Sequence, residues 1–253
     1  MTATSLQGWR VLVPRGGEWG ETVAARLRDY GATAVIAPMI NFASTDDTAG
    51  LAAALARLQG SQFDWLVVTS ATTVDVLVGH GVIIPENTRI AAVGESTSAA
   101  LIAAGYSIDF VPTDNSALGI VKEWPDPQTR ARVLVPQSDI AEPDLVRGLS
   151  VLGLDVTFVA AYRTVPVAVV PAVRDEVTSG RISAILITSG SVAREVAAQL
   201  SPVPTTTILA CIGPRTASDA REAGLSVAMI AEDRSAESLV SALVEHVESS
   251  TPD

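Results

Sequence analysis

Four stretches of this sequence set hydroxyl or glycine residues directly behind an apolar run: Thr69-Ser70-Ala71-Thr72, Gly94-Glu95-Ser96-Thr97, Thr188-Ser189-Gly190-Ser191 and Gly213-Pro214-Arg215-Thr216. Where a strand gives way to a helix, the first turn leaves backbone N–H groups without partners at the positive end of the helix dipole. Together these make a seat for an anion. Ser70, Thr97, Ser189 and Thr216 are the hydroxyls so placed. Plain N-capping is the alternative at any one junction, because Ser and Thr cap helices for stability alone. Four matched junctions favour a shared polyanion site. Arg15, in Arg15-Gly16-Gly17, follows the first apolar run and is placed to pair with a ligand carboxylate, a solvated loop arginine being the alternative. Tyr162, in Ala161-Tyr162-Arg163-Thr164, reads either as buried packing or as a phenol able to donate a proton. The acidic residues are scattered and show no paired-carboxylate pattern.

Counting residues excludes other chemistries. His80 and His246 are the only histidines, far apart in sequence and without a Cys or His neighbour, so no metal site of the usual kind is expected. Lys122, the only lysine, stands at a predicted helix end and is a poor Schiff-base candidate. Cys211 lies in an apolar run and reads as core. No Gly-x-Gly-x-x-Gly or Walker-type loop occurs, so nucleotide binding has no support. No cofactor is therefore expected. With 17 Lys and Arg against 28 Asp and Glu, the net charge of -11 argues against nucleic acid as a partner. What remains is chemistry done by hydroxyls, backbone amides, carboxylates and arginines.

The elements that must position these residues alternate between short β-branched runs and helical stretches. Arg10-Val11-Leu12-Val13 closes at Pro14. Residues 20–30 put Val23, Leu27 and Tyr30 on one helical face before Gly31, and Val35-Ile36-Ala37 ends at Pro38. Such alternation predicts α/β architecture with parallel sheets flanked by helices. The 253 residues, 48% of them hydrophobic, suffice for one large domain or two smaller ones. Internal repetition decides between these. Arg10–Pro14 returns as Arg132–Pro136, and Leu27-x-x-x-Gly31 returns as Leu149-x-x-x-Gly153, both 122 residues on. Val68-Thr69-Ser70 returns as Ile187-Thr188-Ser189, and the stretch from Val93 to Gly105 as Ile212 to Gly224, both 119 residues on. Four segments in one order at a near-constant offset predict a duplication, hence two similar lobes, with a ligand expected between them. No apolar run approaches the ~20 residues of a membrane helix, and Met1–Ser5 has no signal-peptide character. A cytoplasmic protein with no membrane partner is expected.

In order and spacing these motifs resemble the uroporphyrinogen-III synthase family over Trp9 to Val247. The residues that carry the likeness are Val13-Pro14-Arg15, the Val68-Thr69-Ser70 junction, the glycine-to-Thr97 stretch and Ser116 to Gly119. In the second half they are Leu134-Val135-Pro136, the Tyr162 segment, Thr188-Ser189 and the Thr216-Ala217 segment. The resemblance implies two lobes joined by a two-stranded connection. It places lobe one at 1–39 plus 166–253 and lobe two at 40–165, with linkers near 38–42 and 162–166. It implies a monomeric enzyme whose only partner is a small molecule, a linear tetrapyrrole polycarboxylate (hydroxymethylbilane). The enzyme cyclises this substrate with inversion of ring D and loss of water. It further implies Tyr162 as proton donor, Arg15, Ser70, Thr97, Ser189 and Thr216 as substrate seats, and Ser116 on a loop that closes over the substrate. Two positions depart from the family's pattern. Gln137 stands where many relatives have arginine, and Thr72 where some carry a basic residue, which shifts the expected burden of holding carboxylates onto backbone amides. A non-catalytic tetrapyrrole- or anion-sensing module on the same fold is the rival reading. The chain shows no basic winged-helix segment to support it.

Overall fold

In the computed structural model, residues 5–125 and 130–250 are described. The reading of Met1–Thr4 as lacking signal-peptide character falls outside the described residues. The chain divides into two compact units, Met1–Asn41 with Val165–Asp253, and Phe42–Thr164.

The first unit opens with strand β1 (Arg10–Val13), helix α1 (Gly17–Asp29) and strand β2 (Thr33–Ile36). Strand β3 (Ile40–Ser44) then leads into the second unit. There follow α2 (Thr48–Gln59), β4 (Trp65–Val68), α3 (Ala71–Gly79), β5 (Arg89–Ala92), α4 (Glu95–Ala103), α5 (Ala117–Lys122), β6 (Arg132–Ser138), α6 (Asp144–Val151) and the long β7 (Asp155–Pro166). Back in the first unit come α7 (Pro171–Thr178), β8 (Ala184–Ile187), α8 (Gly190–Leu200), β9 (Ile208–Cys211), α9 (Pro214–Glu222), β10 (Met229–Ile230) and α10 (Ala236–Ser250). The chain crosses between units within β3 and β7, which are neighbours in one sheet.

The strand orders are β10-β9-β8-β1-β2 in one sheet and β3-β7-β6-β4-β5 in the other. Every described strand pair whose register is resolved runs parallel. Parallel sheets are covered on both faces, so their strands read as unbroken apolar runs instead of alternating ones. Trp65-Leu66-Val67-Val68 and Ala184-Ile185-Leu186-Ile187 are buried at every position. Alternate residues serve opposite layers. In β4, Leu66 and Val68 pack with Leu51, Leu58, Val74 and Leu101, while Trp65 and Val67 pack with Ile120, Leu145 and Leu149. In β8, Ile185 and Ile187 face Val177, Val192 and Val196, while Ala184 and Leu186 face Val23, Leu239 and Leu243. At roughly 1.5–3 kcal/mol for each large apolar side chain buried, these layers are the main favourable contribution to folding.

The duplication reaches individual hydrogen bonds. Thr88 Oγ1 donates to the Phe63 carbonyl and Thr207 Oγ1 to that of Ile182, each at 2.8 Å. The 119-residue offset relates donor to donor and acceptor to acceptor. Gly31 and Gly153, both at φ +86°, end their helices in the left-handed conformation that favours glycine. The first strand of each copy starts on an arginine clamped to an acid: Arg10 Nη2 donates to Glu176 Oε2 and Arg132 Nη2 to Asp64 Oδ1, both at 2.7 Å. These clamps tie strand starts, so they stabilise the edge opposite the seats.

The Asp64 clamp has a pH signature. The Arg132 side-chain hydrogen bond holds the Asp64 carboxyl below its ordinary value of 3.8, and the Arg132 backbone N–H adds to the effect against partial desolvation. A carboxyl whose pKa is lowered by folding stabilises the native state above its unfolded pKa and loses that contribution as pH falls through the folded value. Both side chains are more than a third exposed, at 42% and 38%, so screening limits the ion pair to about 1 kcal/mol or less. Denaturant unfolding of Asp64→Ala and the wild type should therefore differ by roughly that amount at neutral pH. The two curves should converge as pH falls below 3.8.

Candidate functional site

Strand order brings the expected residues to one edge in each unit. In the first unit β9, β8 and β1 are consecutive neighbours, so the segments that follow their carboxyl ends, carrying Thr216, Ser189 and Arg15, lie side by side at the ~4.8 Å strand spacing. In the second unit β7, β6, β4 and β5 are consecutive. Gln137, Ser70 and Thr97 stand at or just beyond the carboxyl ends of β6, β4 and β5, and Tyr162 lies within the longer β7, paired with Ser138 at the end of β6. This is the edge at which open α/β sheets bind ligands.

The hydroxyls differ in what they do there. Ser70 accepts from the Thr72 N–H at 3.2 Å and Ser189 from the Val192 N–H at 3.3 Å. Both are N-caps, and each still presents an O–H as donor. Ser189 Oγ also lies 2.9 Å from Ser191 Oγ. Thr97 and Thr216 are not caps. Each sits in the first turn of its helix, behind Gly94 and Gly213, and is buried, at 2% and 8% exposure. At these two junctions the threonine side chains are buried, whereas Ser70 and Ser189 are partly exposed. Pro214 removes one first-turn N–H donor from α9.

Ser116 is a third cap, accepting from the Gly119 N–H at 2.9 Å at the start of the short α5. The segment before it is tied down: Glu123 accepts from the backbone N–H groups of Thr113 and Asp114 at 2.8 and 3.2 Å. Those two bonds hold the Glu123 carboxyl below its usual range. The segment expected to lie on a closing loop carries an N-cap and a carboxylate clamp. The Arg15 guanidinium lies over the Trp19 ring, 5.1 Å from its centroid, so the arginine is fixed in direction by a cation–π contact. Tyr162 is 7% exposed, packs in the second unit's core and meets Phe42 edge-on, with ring centroids 5.3 Å apart.

Three features carried no sequence signal. A bulge between Gln137 and Ser138 slips the β6–β7 register so that Ser138 pairs with Tyr162. Around it Asp139 Oδ1 accepts from the Ser138 hydroxyl at 3.0 Å and the Thr164 N–H at 3.1 Å, while the Asp139 N–H donates to the Tyr162 carbonyl. Asp139 thereby braces β7 at the tyrosine's own carbonyl and two residues beyond it. In the first unit, a methyl group at Gly190 would collide with the Asp219 carboxylate, itself bonded by Arg215 Nε at 3.1 Å. An internal anion therefore stands beside the α8 seat. At the 119-residue offset the second unit has Ala71 and Ala100 instead. The third is the pairing of the Gln137 amide, at a position the sequence had marked only by its residue type: its Nε2 donates to Thr69 Oγ1 at 3.1 Å, while its buried Oε1 finds no partner.

Cys211 is fully buried, and desolvation pushes its thiol up to about 11, which leaves it without nucleophilic character. Among the described residues no group of three or more His, Cys, Asp or Glu side chains is gathered that could hold a metal ion. None of their helices is long and apolar enough to cross a membrane.

The arrangement can be set beside known proteins. Over 252 residues the chain is 27% identical to a porphyrin biosynthesis protein HemD of Ruminiclostridium josui, covering 95% of this chain and 49% of that protein. It is 26% identical over 170 residues to a uroporphyrinogen-III synthase of Synechococcus elongatus, covering 65% of this chain and 64% of that one. The chain thus spans about half the length of the first of these relatives and under two thirds of the second. A mutant uroporphyrinogen III synthase from Thermus thermophilus superposes with a TM-score of 0.67 at 17% identity, over 96% of this chain and all of that one. A uroporphyrinogen-III synthetase from Helicobacter pylori superposes with a TM-score of 0.60 at 15% identity, over 92% and 97%. At such identities these two establish the fold: duplicated parallel sheets with helices on both faces. The sequence itself goes further, since a family model described as uroporphyrinogen-III synthase HemD matches residues 21–241. That span runs from within α1 into α10 and takes in every seat described above except Arg15, and on it the chain belongs to the uroporphyrinogen-III synthase family.

Proposed function

We propose that this chain cyclises hydroxymethylbilane to uroporphyrinogen III, inverting ring D and releasing water. The observation that carries the reading is the family match over residues 21–241. It is supported by the rows of first-turn N–H groups, which fall on the carboxyl edge of both sheets. The substrate is a polycarboxylate, and helix starts bind carboxylates without needing a cation. Ser70 and Ser189 add hydroxyl donors, and Arg15 adds a guanidinium whose direction Trp19 sets.

The chemistry asks for few groups. Loss of the terminal hydroxyl as water leaves an electrophilic azafulvene, which closes through a spiro intermediate. In this reading the Tyr162 phenol gives a proton to the departing hydroxyl. The proton released at the carbon that closes the macrocycle then restores the phenol, so the protein ends the cycle unchanged. Holding the chain in the reactive fold is the larger contribution. Without enzyme, ring closure gives the symmetric isomer, so product identity reports on orientation.

Purified protein supplied with hydroxymethylbilane should form mainly the type III isomer without added metal, nucleotide or pyridoxal phosphate, scored by chromatographic separation of the isomers. Type I product at every enzyme concentration would end the reading. Tyr162→Phe keeps the ring and its edge contact with Phe42, so its melting temperature should change little. Its turnover should fall by up to about 10²-fold, the lower end of general-acid contributions. Full activity would remove the phenol from the mechanism.

Charge supplies a further check. A protein of net charge -11 repels a polyanion at long range, so binding must come from seats in contact. At about 0.1 M salt the Debye length is roughly 10 Å, which screens distant acids more than contacts. The Michaelis constant should stay level or fall as salt rises from very low to about 0.1 M. A steep rise would mean that a cationic surface dominates binding.

A further inference from the structure

Thr69 follows Trp65 and Val67 on alternate positions of β4, and Gln137 follows Val133 and Val135 on β6, strands that pair in parallel. Their side chains therefore leave the same sheet face at its carboxyl edge. There Gln137 is 8% exposed and holds one half of its amide against the Thr69 hydroxyl at 3.1 Å. The other half, Oε1, is buried and has no hydrogen-bond partner. Buried polar atoms are almost always paired, and an unpaired acceptor destabilises the fold that contains it. A binding edge is the place where such an acceptor is retained for a ligand donor. The 122-residue offset sets Gln137 where the first unit has Arg15. The two copies thus present different chemistry at one position, donors only in one and an acceptor in the other.

We propose that Gln137 is a substrate-orienting residue, its amide oxygen accepting a hydrogen bond from a pyrrole N–H of the bound tetrapyrrole. The inference rests on the synthase reading above. The substrate's carboxylates are acceptors and already suit the first-turn N–H groups, and its hydroxymethyl group departs during the reaction. The pyrrole N–H groups are the remaining donors, and they persist through ring closure. One acceptor fixed through Thr69 selects the rotation of a ring about its bridges, which decides which isomer forms.

Three variants separate this role from the others. Gln137→Met removes the amide at similar volume, Gln137→Glu keeps an acceptor, and Gln137→Arg supplies donors only. With hydroxymethylbilane as substrate, Gln137→Met and Gln137→Arg should each lose roughly five- to thirty-fold in kcat/KM, the effect of one hydrogen bond. Both should raise the share of type I isomer, and Gln137→Glu should lie closer to the wild type in both measures. The melting temperature of Gln137→Met should equal or exceed that of the wild type, because a buried unpaired acceptor is gone. Two results overturn the proposal. One is a Gln137→Arg variant as active as the wild type with Gln137→Glu the poorest, which would make the group a carboxylate donor. The other is a less stable Gln137→Met with unchanged kcat/KM and isomer ratio, which would confine Gln137 to holding Thr69. A wild type that makes no type III isomer would sink the parent reading instead.

Discussion

Parallel pairing is the constraint from which the rest follows. A parallel strand cannot turn back directly, so each connection must cross a sheet face, and the sheet must be covered on both sides. Helices α3, α4, α8 and α9 each start where a strand has just ended. Their first-turn N–H groups are thereby delivered to one edge of each sheet, and the strand order sets Thr216 beside Ser189 and Ser70 beside Thr97 without any further design. The opposite edge is left for stability, and the Arg10–Glu176 and Arg132–Asp64 clamps lie there.

That geometry would let an acidic protein hold the acidic substrate proposed for it. Recognition built on lysines would need a basic face, which a chain with one lysine and a net charge of -11 does not have. Backbone dipoles carry no net charge and are oriented when the helix forms, so their binding energy is local and is lost within about a turn. Distant carboxylates then matter little, and near ones matter a great deal. The Asp219 carboxylate beside Gly190 is near, and it distinguishes the first unit's seat from the second's.

Duplication supplied two copies of one scaffold, and single residues have made them unlike. Gly190 with Asp219 faces Ala71 with Ala100 across the offset, and Arg15 faces Gln137. In each pair the backbone is repeated while the donor or acceptor changes.

The alternation of apolar runs with amphipathic stretches was enough to specify parallel α/β sheets, because burial on both faces removes polar residues from the strands. The repeated Arg10–Pro14 and Arg132–Pro136 runs, with Gly31 and Gly153 ending their helices, specified the duplication, because left-handed termini demand glycine wherever the scaffold recurs. Cys211 as core and Ser70 and Ser189 at helix starts were legible for the same local reasons. Long-range placement was not. Whether a threonine two residues into a helix points outward or inward depends on what packs above it, and the structure turns Thr97 and Thr216 inward. The β6–β7 bulge that sets Asp139 around Tyr162, the Asp219 carboxylate against Gly190, and the half-paired Gln137 amide all join residues far apart in sequence. Composition and periodicity report on neighbours along the chain, so only the tertiary structure could decide them.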